Sequence, residues 1–174
     1  REAGGSELVI PNIHPFDRNC PYPRHHTGKA GFHLGDTSCP VSETTWHSAY
    51  ASAQTAISAA RHVRDKGAHA AYALCRPPGH HARGNIAGGF CYLNNSAIAA
   101  QELREKYDRV AILDVDLHHG NGTQHIFYDR ADVMTLSIHA DPMDFYPFFW
   151  GHEVEVGENA GIGFNKNYPC LLYT

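Results

Sequence analysis

The sequence of 174 residues predicts an α/β fold in which helices flank a parallel sheet. Two observations carry this prediction. Apolar segments of strand length alternate with segments of helical periodicity, and clusters of polar side chains follow two of the strand candidates. Because the carboxyl ends of parallel strands meet at one edge of a sheet, where α/β proteins bind ligands, we expect the polar clusters to converge there.

The chain begins with a segment, residues 1–43, that is rich in Gly, Pro and polar side chains and is expected to form loops. A helix is expected after Ser42, a candidate N-cap, and Gly67 is expected to end it. Its apolar positions predict one packed face, made of Trp46, Tyr50, Ala53, Ile57, Ala60 and Val63.

The remaining elements are expected in the order strand, helix, strand, helix, strand. They are a strand over 68–75, a helix capped by Asn94 or Asn95, a strand over 109–117, a short helix over 123–129 and a strand over 132–140. On the capped helix, Ala99, Leu103 and Tyr107 share a face. Glu102 stands four residues before Lys106, a spacing that favours an ion pair.

Composition narrows the class of protein. Hydrophobic residues make up 43% of the chain and charged residues 18%, as in globular proteins. The net charge of -4 without a basic block argues against nucleic acid or an anionic membrane as a partner. No apolar run approaches the roughly 18 residues of a membrane span, and no N-terminal signal pattern is present. Five cysteines without CxxC spacing argue against a disulfide framework and for a reducing, cytoplasmic location.

The first polar cluster follows the strand over 109–117. Asp114, Asp116 and His118 are each two residues apart, so they share a face if the extended backbone continues to His118. An aspartate and a histidine at this spacing supply an oxygen and a nitrogen ligand, which suits a catalytic zinc site. Such a site needs a third protein ligand from elsewhere. The alternative is that the aspartates cap loops and the histidine is structural.

The second polar cluster follows the strand over 68–75. His80 and His81 come after a Pro-Pro-Gly turn, and two imidazoles beside a metal-bound water could act as base and electrostatic partner. Gly88 and Gly89 allow the backbone to approach a ligand closely, and Phe90 could form an apolar wall. An isolated pair of histidines is usually only solvated, but the position of this pair matches that of the first cluster.

Four stretches of the sequence carry a resemblance to a known family. They are "RPPGHHA", "GGFCYLNN", "DVDLHHGNGTQ" and "VMTLSIH", and together they resemble the zinc-dependent histone deacetylase and acetylpolyamine amidohydrolase superfamily. The resemblance runs from about Thr44 to Asn167 and implies an arginase/deacetylase-like sheet, incomplete in this chain. The stretch over 137–169 is more similar to the bacterial acetylpolyamine amidohydrolases than to the histone-directed enzymes.

The resemblance implies a role for each matched residue. Asp116 and His118 match two of three zinc ligands, and His81 matches the general base and acid. His80 matches the partner that stabilises charge. The other matched residues are Asp114, which orients the first histidine, Asn121, where family members carry Asp or Asn, and Gly89 and Phe90, which form the floor and wall of the substrate tunnel. A structural potassium ion is implied as well, held by Asp114, Asp116, His118, Ser137 and the carbonyl of Ile138.

The third zinc ligand and a catalytic tyrosine are expected downstream of Thr174. Asp141 and Asp144 follow the strand too closely to be that ligand, and Tyr168 and Tyr173 lack the context of that tyrosine. We therefore expect an N-terminal fragment that is inactive alone. Its expected parts are a loop-rich segment over 1–43, a partial deacetylase domain over 44–169 and a truncation or cloning scar over 170–174.

The implied function is hydrolysis of the acetamide of acetylated polyamines or related amines to acetate and free amine. The expected partner is a small acetylated amine. The full-length protein is a candidate homodimer. Acetyl-lysine protein deacetylation is the alternative within the family, and a non-catalytic module that binds acyl ligands or partners is the alternative from another class. A two-manganese, arginase-like site is disfavoured, because Gly120 stands where that site needs a carboxylate.

The segment over 148–158 bears on the substrate. Glu153, Glu155 and Glu158 either attract a cationic polyamine or form a solvated acidic loop. The aromatic residues from Phe148 to Trp150 either shape a pocket rim or pack in a core or subunit contact.

Overall fold

The computed structural model describes residues 8–16 and 18–170 and confirms a parallel sheet with flanking helices. The sheet consists of β1 (Val110–Asp114), β2 (Val133–Ala140) and β3 (Asn165–Cys170) in that spatial order. The helices are α1 (His26–His33), α2 (Thr45–Lys66), α3 (Asn95–Arg104) and α4 (Asn121–Phe127), and a short 3₁₀ turn covers Asn159–Gly161. The expected scar over 170–174 lies outside the described residues except for Cys170, which ends β3.

The register of the sheet brings the ends of the strands to one edge. Asp114, the last residue of β1, pairs with Ser137 of β2, which pairs in turn with Asn167 of β3. The residues that follow β1 therefore leave the sheet beside the polar side chains of its neighbours.

The core lies between the sheet and helices α3 and α4. Val133 of β2 and Phe127 of α4 are almost fully buried, and they pack with Ala97 and Ala100 of α3. This cluster fixes α3 against β1 and α4 against β2. It therefore holds both helix N-termini near the carboxyl edge of the sheet.

Helix α2 forms as expected, and its buried face includes Ala53 and Ala60 of the predicted face but not the larger side chains of that face. Its N-cap residue is Thr44 rather than Ser42, and Gly67 ends it with φ of 68°. Small residues make up the buried face: Ala49, Ser52, Ala53, Ala56 and Ala60. Trp46 and Tyr50 of the expected face are more than half exposed, so the packed part of that face consists of small side chains.

Helix α3 is capped by Asn94, whose side chain accepts a hydrogen bond from the backbone N–H of Ala97 at 2.9 Å. The expected pairing of Glu102 with Lys106 does not form. Glu102 instead accepts from Arg61 and Arg64 of α2, each at 3.0 Å, because the neighbouring helix presents two guanidinium groups to it.

The strand expected over 68–75 is wrong, since none of these residues joins the sheet. A strand requires a partner at hydrogen-bonding distance. Ala71 and Ala73 are instead separated from Ile112 of β1 by a cavity of about 500 Å³ that both segments line. Tyr72 and Leu74 are consequently exposed.

Two elements were not expected from the sequence, α1 within the loop-rich start and β3 near the end. The strand over 109–117 is shorter than expected and stops at Asp114. Among the described residues, no helix has the length and apolar character needed to cross a membrane.

Replacement of Phe127 by alanine should lower the free energy of unfolding by roughly 3–5 kcal/mol, because it removes a buried aromatic ring from the hydrophobic cluster. Urea denaturation followed by circular dichroism measures the change. Phe149→Ala, which truncates a ring that is 79% exposed, is the matched control and should change the free energy by less than about 0.5 kcal/mol. Equal effects of the two substitutions would contradict this description of the core.

Candidate active site

Two successive side-chain-to-backbone hydrogen bonds shape the chain after β1. The backbone N–H of Asp116 donates to Asp114 Oδ1 at 3.1 Å, and that of His118 donates to Asp116 Oδ1 at 2.8 Å. The backbone therefore turns here and does not remain extended to His118. The turns nevertheless bring Asp116 Oδ1 to 3.4 Å from His118 Nδ1.

The spacing of these two atoms suits a zinc ion. Ligands at about 2.1 Å from tetrahedral zinc are about 3.4 Å apart, and one carboxylate oxygen with one imidazole nitrogen is a zinc-type donor pair. Both side chains are partly exposed, which leaves space for further ligands. Across residues 8–16 and 18–170, no group of three His, Cys, Asp or Glu side chains is arranged to hold a metal ion. The described residues thus offer two donors.

His80 is fixed by the carboxylate at the end of β1. Its Nδ1 donates to Asp114 Oδ2 at 2.8 Å, because a carboxylate only accepts. Nε2 lies 4.0 Å from Asp116 Oδ1. A side chain at Gly120 would overlap Asp114 Oδ2, so only glycine leaves room for this pair. Burial works to raise the pKa of Asp114, but the hydrogen bond and charge of His80 outweigh it and lower that pKa.

His81 is held in a similar way by the first residue of α4. Its Nδ1 lies 2.8 Å from Asn121 Oδ1, which accepts the proton and leaves Nε2 free as a base. The two histidine rings are 3.9 Å apart. Burial, reinforced by the nearby charge of His80, lowers the pKa of His81 to about 4. The ring is therefore neutral at pH 7 in the metal-free chain and can accept a proton.

The expected tunnel residues lie beside this pair. Gly89 and Phe90 have φ of 51° and 65°, and a side chain at Gly89 would overlap the His81 ring. Phe90 is 65% exposed, as a wall residue at an open site would be. The arrangement places the Gly89 backbone directly against the candidate base.

Sequence reasoning missed two residues at this wall, Asp36 and Tyr146. The Tyr146 ring meets His81 edge-on, with centroids 4.9 Å apart, and its hydroxyl donates to Asp36 Oδ2 at 2.7 Å. These two residues are 110 positions apart in the chain. No local spacing connects them, so no signal in the single sequence could have identified the pair.

The three aromatic residues after Tyr146 form a rim rather than part of the core. Phe148, Phe149 and Trp150 are 49%, 79% and 41% exposed. They line a cavity of about 290 Å³ together with His81, Tyr146 and Arg83. The Arg83 guanidinium lies 4.9 Å from the centre of the Trp150 ring, a distance typical of a cation–π contact.

The Glu155 side chain is hydrogen-bonded within the protein, so it is neither fully solvated nor available to bind a cationic substrate. Its Oε2 accepts from Gln124 Nε2 at 2.6 Å and from the Gly151 backbone N–H at 2.8 Å. Asn167 of β3 donates to Gln124 Oε1 at 2.8 Å. This network joins the segment that carries Tyr146 and the aromatic rim to the sheet. Glu153 and Glu158 remain exposed.

The residues expected to hold potassium are only partly together. Asp114 and Ser137 line one small polar cavity of about 10 Å³, the size of a single water. Asp116, His118 and Ile138 do not line it, and the Ile138 side chain is 44% exposed. The potassium site stays a prediction.

Residues 13–174 match the model of the histone deacetylase domain. The chain belongs to the histone deacetylase family. Acetylpolyamine amidohydrolase of Burkholderia pseudomallei is 62% identical over 141 residues, which cover 81% of this chain and 41% of that protein. Acetylpolyamine amidohydrolase 1 of Pseudomonas aeruginosa is 54% identical over 153 residues, or 87% of this chain and 44% of that protein.

Solved structures of deacetylase relatives share the fold. A crystal structure of acetylpolyamine aminohydrolase from Burkholderia pseudomallei superimposes with a TM-score of 0.91 at 54% identity, over 97% of this chain and 49% of the other. A histone deacetylase homologue from Aquifex aeolicus gives a TM-score of 0.70 at 35% identity, over 79% and 36%. This deacetylase-family chain thus spans about half the length of the relatives it matches.

Two buried cysteines lie beneath the tunnel wall of this deacetylase-family site. The Cys39 thiol donates to the Cys91 carbonyl at 3.6 Å, and the Cys91 thiol donates to the Gly89 carbonyl at 3.3 Å. Neither residue is exposed. Burial raises the pKa of Cys39 to about 11 and that of Cys91 to about 12.

Because the thiolate is the reactive form, a thiol reagent at pH 8 should label the exposed Cys20 and Cys170 within minutes and leave Cys39 and Cys91 unmodified. Peptide mass mapping after Ellman or maleimide labelling measures this. Labelling in urea is the control and should reach all five cysteines. Rapid modification of either buried cysteine in the folded chain would contradict the packing of the wall.

Proposed function

We propose that this chain forms the histidine-bearing part of a zinc-dependent deacetylase that hydrolyses acetylated polyamines or related amines to acetate and free amine. The observation that carries the proposal is the pair of anchored histidines, His80 on Asp114 and His81 on Asn121, beside two donors at the spacing of zinc ligands. The names of the acetylpolyamine amidohydrolase relatives support the substrate class.

In the proposed reaction, zinc on Asp116 and His118 would polarise the acetamide carbonyl and lower the pKa of a water molecule. His81 accepts the proton of the attacking water at Nε2, and its anchored Nδ1 keeps that nitrogen available. His80 stabilises the negative charge that develops on the substrate oxygen. The Asp114 carboxylate balances the positive charge of the His80 ring when that ring is protonated. Return of a proton from imidazole to the departing amine nitrogen completes the cleavage of the C–N bond.

Two parts of the proposed site are expected from sequence that the chain does not span. They are the third zinc ligand and the tyrosine hydroxyl that would bind the oxyanion. Tyr146 does not replace that tyrosine, because its hydroxyl donates to Asp36. We also retain the potassium ion, a cytoplasmic location and homodimerisation of the longer protein as parts of the proposal.

The isolated chain should bind zinc weakly and hydrolyse acetylputrescine no faster than buffer, because two protein donors hold zinc less well than three. Competition with a chromophoric chelator measures the affinity, and release of putrescine measures turnover. Asp116→Asn should abolish the residual zinc binding, whereas the exposed control His47→Asn should not change it. Tight binding together with sustained turnover by the isolated chain would disprove the fragment interpretation.

A chimera that joins this chain to the remaining part of the Burkholderia pseudomallei relative should be active on acetylputrescine and lose that activity with a zinc chelator. His81→Ala in the chimera should reduce kcat by roughly 10²–10⁴-fold, the usual effect of losing a general base. His47→Ala is the matched control and should leave kcat unchanged.

The same chimera separates the alternatives. Activity on acetyl-lysine peptides alone would replace the polyamine substrate, and activity that resists the chelator would exclude the metal assignment. Binding of acetylated amines without turnover would favour a binding module.

A further inference from the structure

Asp36 lies in a segment that is tied to the tunnel wall by backbone hydrogen bonds. The Gly35 N–H donates to the Ala87 carbonyl at 2.7 Å, and the Ala87 N–H donates to the His33 carbonyl at 2.8 Å. Leu34 and Ala87 thereby form a parallel bridge. The bridge brings the Asp36 side chain to the segment that contains Gly89 and Phe90.

The carboxylate of Asp36 accepts hydrogen bonds from three separate segments. Its Oδ1 accepts from the backbone N–H and the hydroxyl of Ser38, at 2.8 and 2.5 Å. Its Oδ2 accepts from the Gly89 N–H at 3.0 Å and from the Tyr146 hydroxyl at 2.7 Å. The Ser38 bonds form a local turn, but the bonds of Oδ2 join residues that are 53 and 110 positions away.

The two donors to Oδ2 belong to different segments of the candidate site. Gly89 precedes Phe90, whose positive φ is unusual for a residue with a side chain and requires support from its surroundings. Tyr146 presents its ring edge to His81 at 4.9 Å and to His118 at 5.9 Å. The position of one oxygen atom therefore determines how far the wall and the Tyr146 ring stand from the histidines.

We propose that Asp36 is a positioning residue of the deacetylase site, which sets the width of the acyl tunnel by holding the Gly89–Phe90 wall and the Tyr146 ring through Oδ2. The inference rests on the proposed function for its role in catalysis. The clamp itself is a property of this chain. All four hydrogen bonds favour the ionised carboxylate, and although burial opposes them, the pKa of Asp36 lies below its ordinary value. The clamp is thus charged at neutral pH.

NMR spectroscopy of the chain tests the clamp without any activity. In Asp36→Ala, the Gly89 amide proton should move upfield because it loses a charged acceptor. The His81 ring protons should shift because the Tyr146 ring is released. Ser38→Ala is the matched control, since it removes a bond to Oδ1 only and should leave the signals of Gly89 and His81 in place.

Tyr146→Phe keeps the test decisive if Asp36→Ala fails to fold. This substitution keeps the ring but removes the hydroxyl, so the His81 ring protons should shift while the Gly89 amide stays bonded to Asp36. Unchanged His81 signals in Tyr146→Phe would overturn the clamp. So would equal shifts in Ser38→Ala and Asp36→Ala, which would assign Asp36 to the local turn alone.

Kinetics of the chimera test the consequence for the reaction. Asp36→Ala should raise KM for acetylputrescine roughly ten-fold, the worth of a charge-assisted hydrogen bond, and change kcat by less than about three-fold. A fully active chimera whose KM is unaffected by Asp36→Ala would overturn the positioning role. An inactive chimera with the expected NMR shifts would instead disprove the proposed function and leave the clamp intact.

Discussion

The hydrogen bond between Asp114 Oδ2 and His80 Nδ1 joins the end of β1 to the loop that carries both histidines of the candidate site. Asp114 also accepts a hydrogen bond from the Asp116 N–H through Oδ1. One carboxylate therefore orients His80 with one oxygen and begins the turn that contains Asp116 with the other. The close approach of Gly120 leaves no room for a larger residue beside this carboxylate. Histidine orientation and donor spacing therefore depend on the same side chain.

Rigidity around that bond comes from hydrophobic packing below it and polar contacts beside it. The cluster of Phe127 and Val133 holds α4 on β2, which places Asn121 at the distance that His81 requires. Asn94 adds a second tie, because its side chain caps α3 and donates to the Ala82 carbonyl at 3.0 Å. The two histidines thus stand between two helix starts whose positions the core determines.

The opposite side of the site depends on polar groups. The segment from Asp141 to Glu158 has little regular structure, and Glu155 fixes it through Gln124 and the Gly151 backbone. Buried polar networks of this kind are costly unless each group is paired, and pairing makes their geometry specific. Tyr146 is carried by this segment and completes the wall through Asp36. Apolar packing and polar pairing therefore support different sides of one cavity.

The sequence by itself determined β1 and β2, the positions of α2, α3 and α4, and the two polar clusters, but the predicted alternation failed at 68–75, where no strand forms. These features depend on local periodicity, on caps such as Asn94 and on spacing within a few residues. The resemblance to the family implied roles for single residues, and the geometry is compatible with some of them. One example is the hydrogen bond by which Asp114 orients His80.

Only the tertiary structure decided which segments find partners across long distances. Residues 68–75 have strand-like composition, yet a cavity separates them from β1 and no ladder forms. Trp46 and Tyr50 are apolar, yet both are more than half exposed, and the buried residues of α2 are alanines and Ser52. The clamp of Asp36 on Tyr146 depends on a contact between residues that are 110 positions apart, which no local pattern encodes.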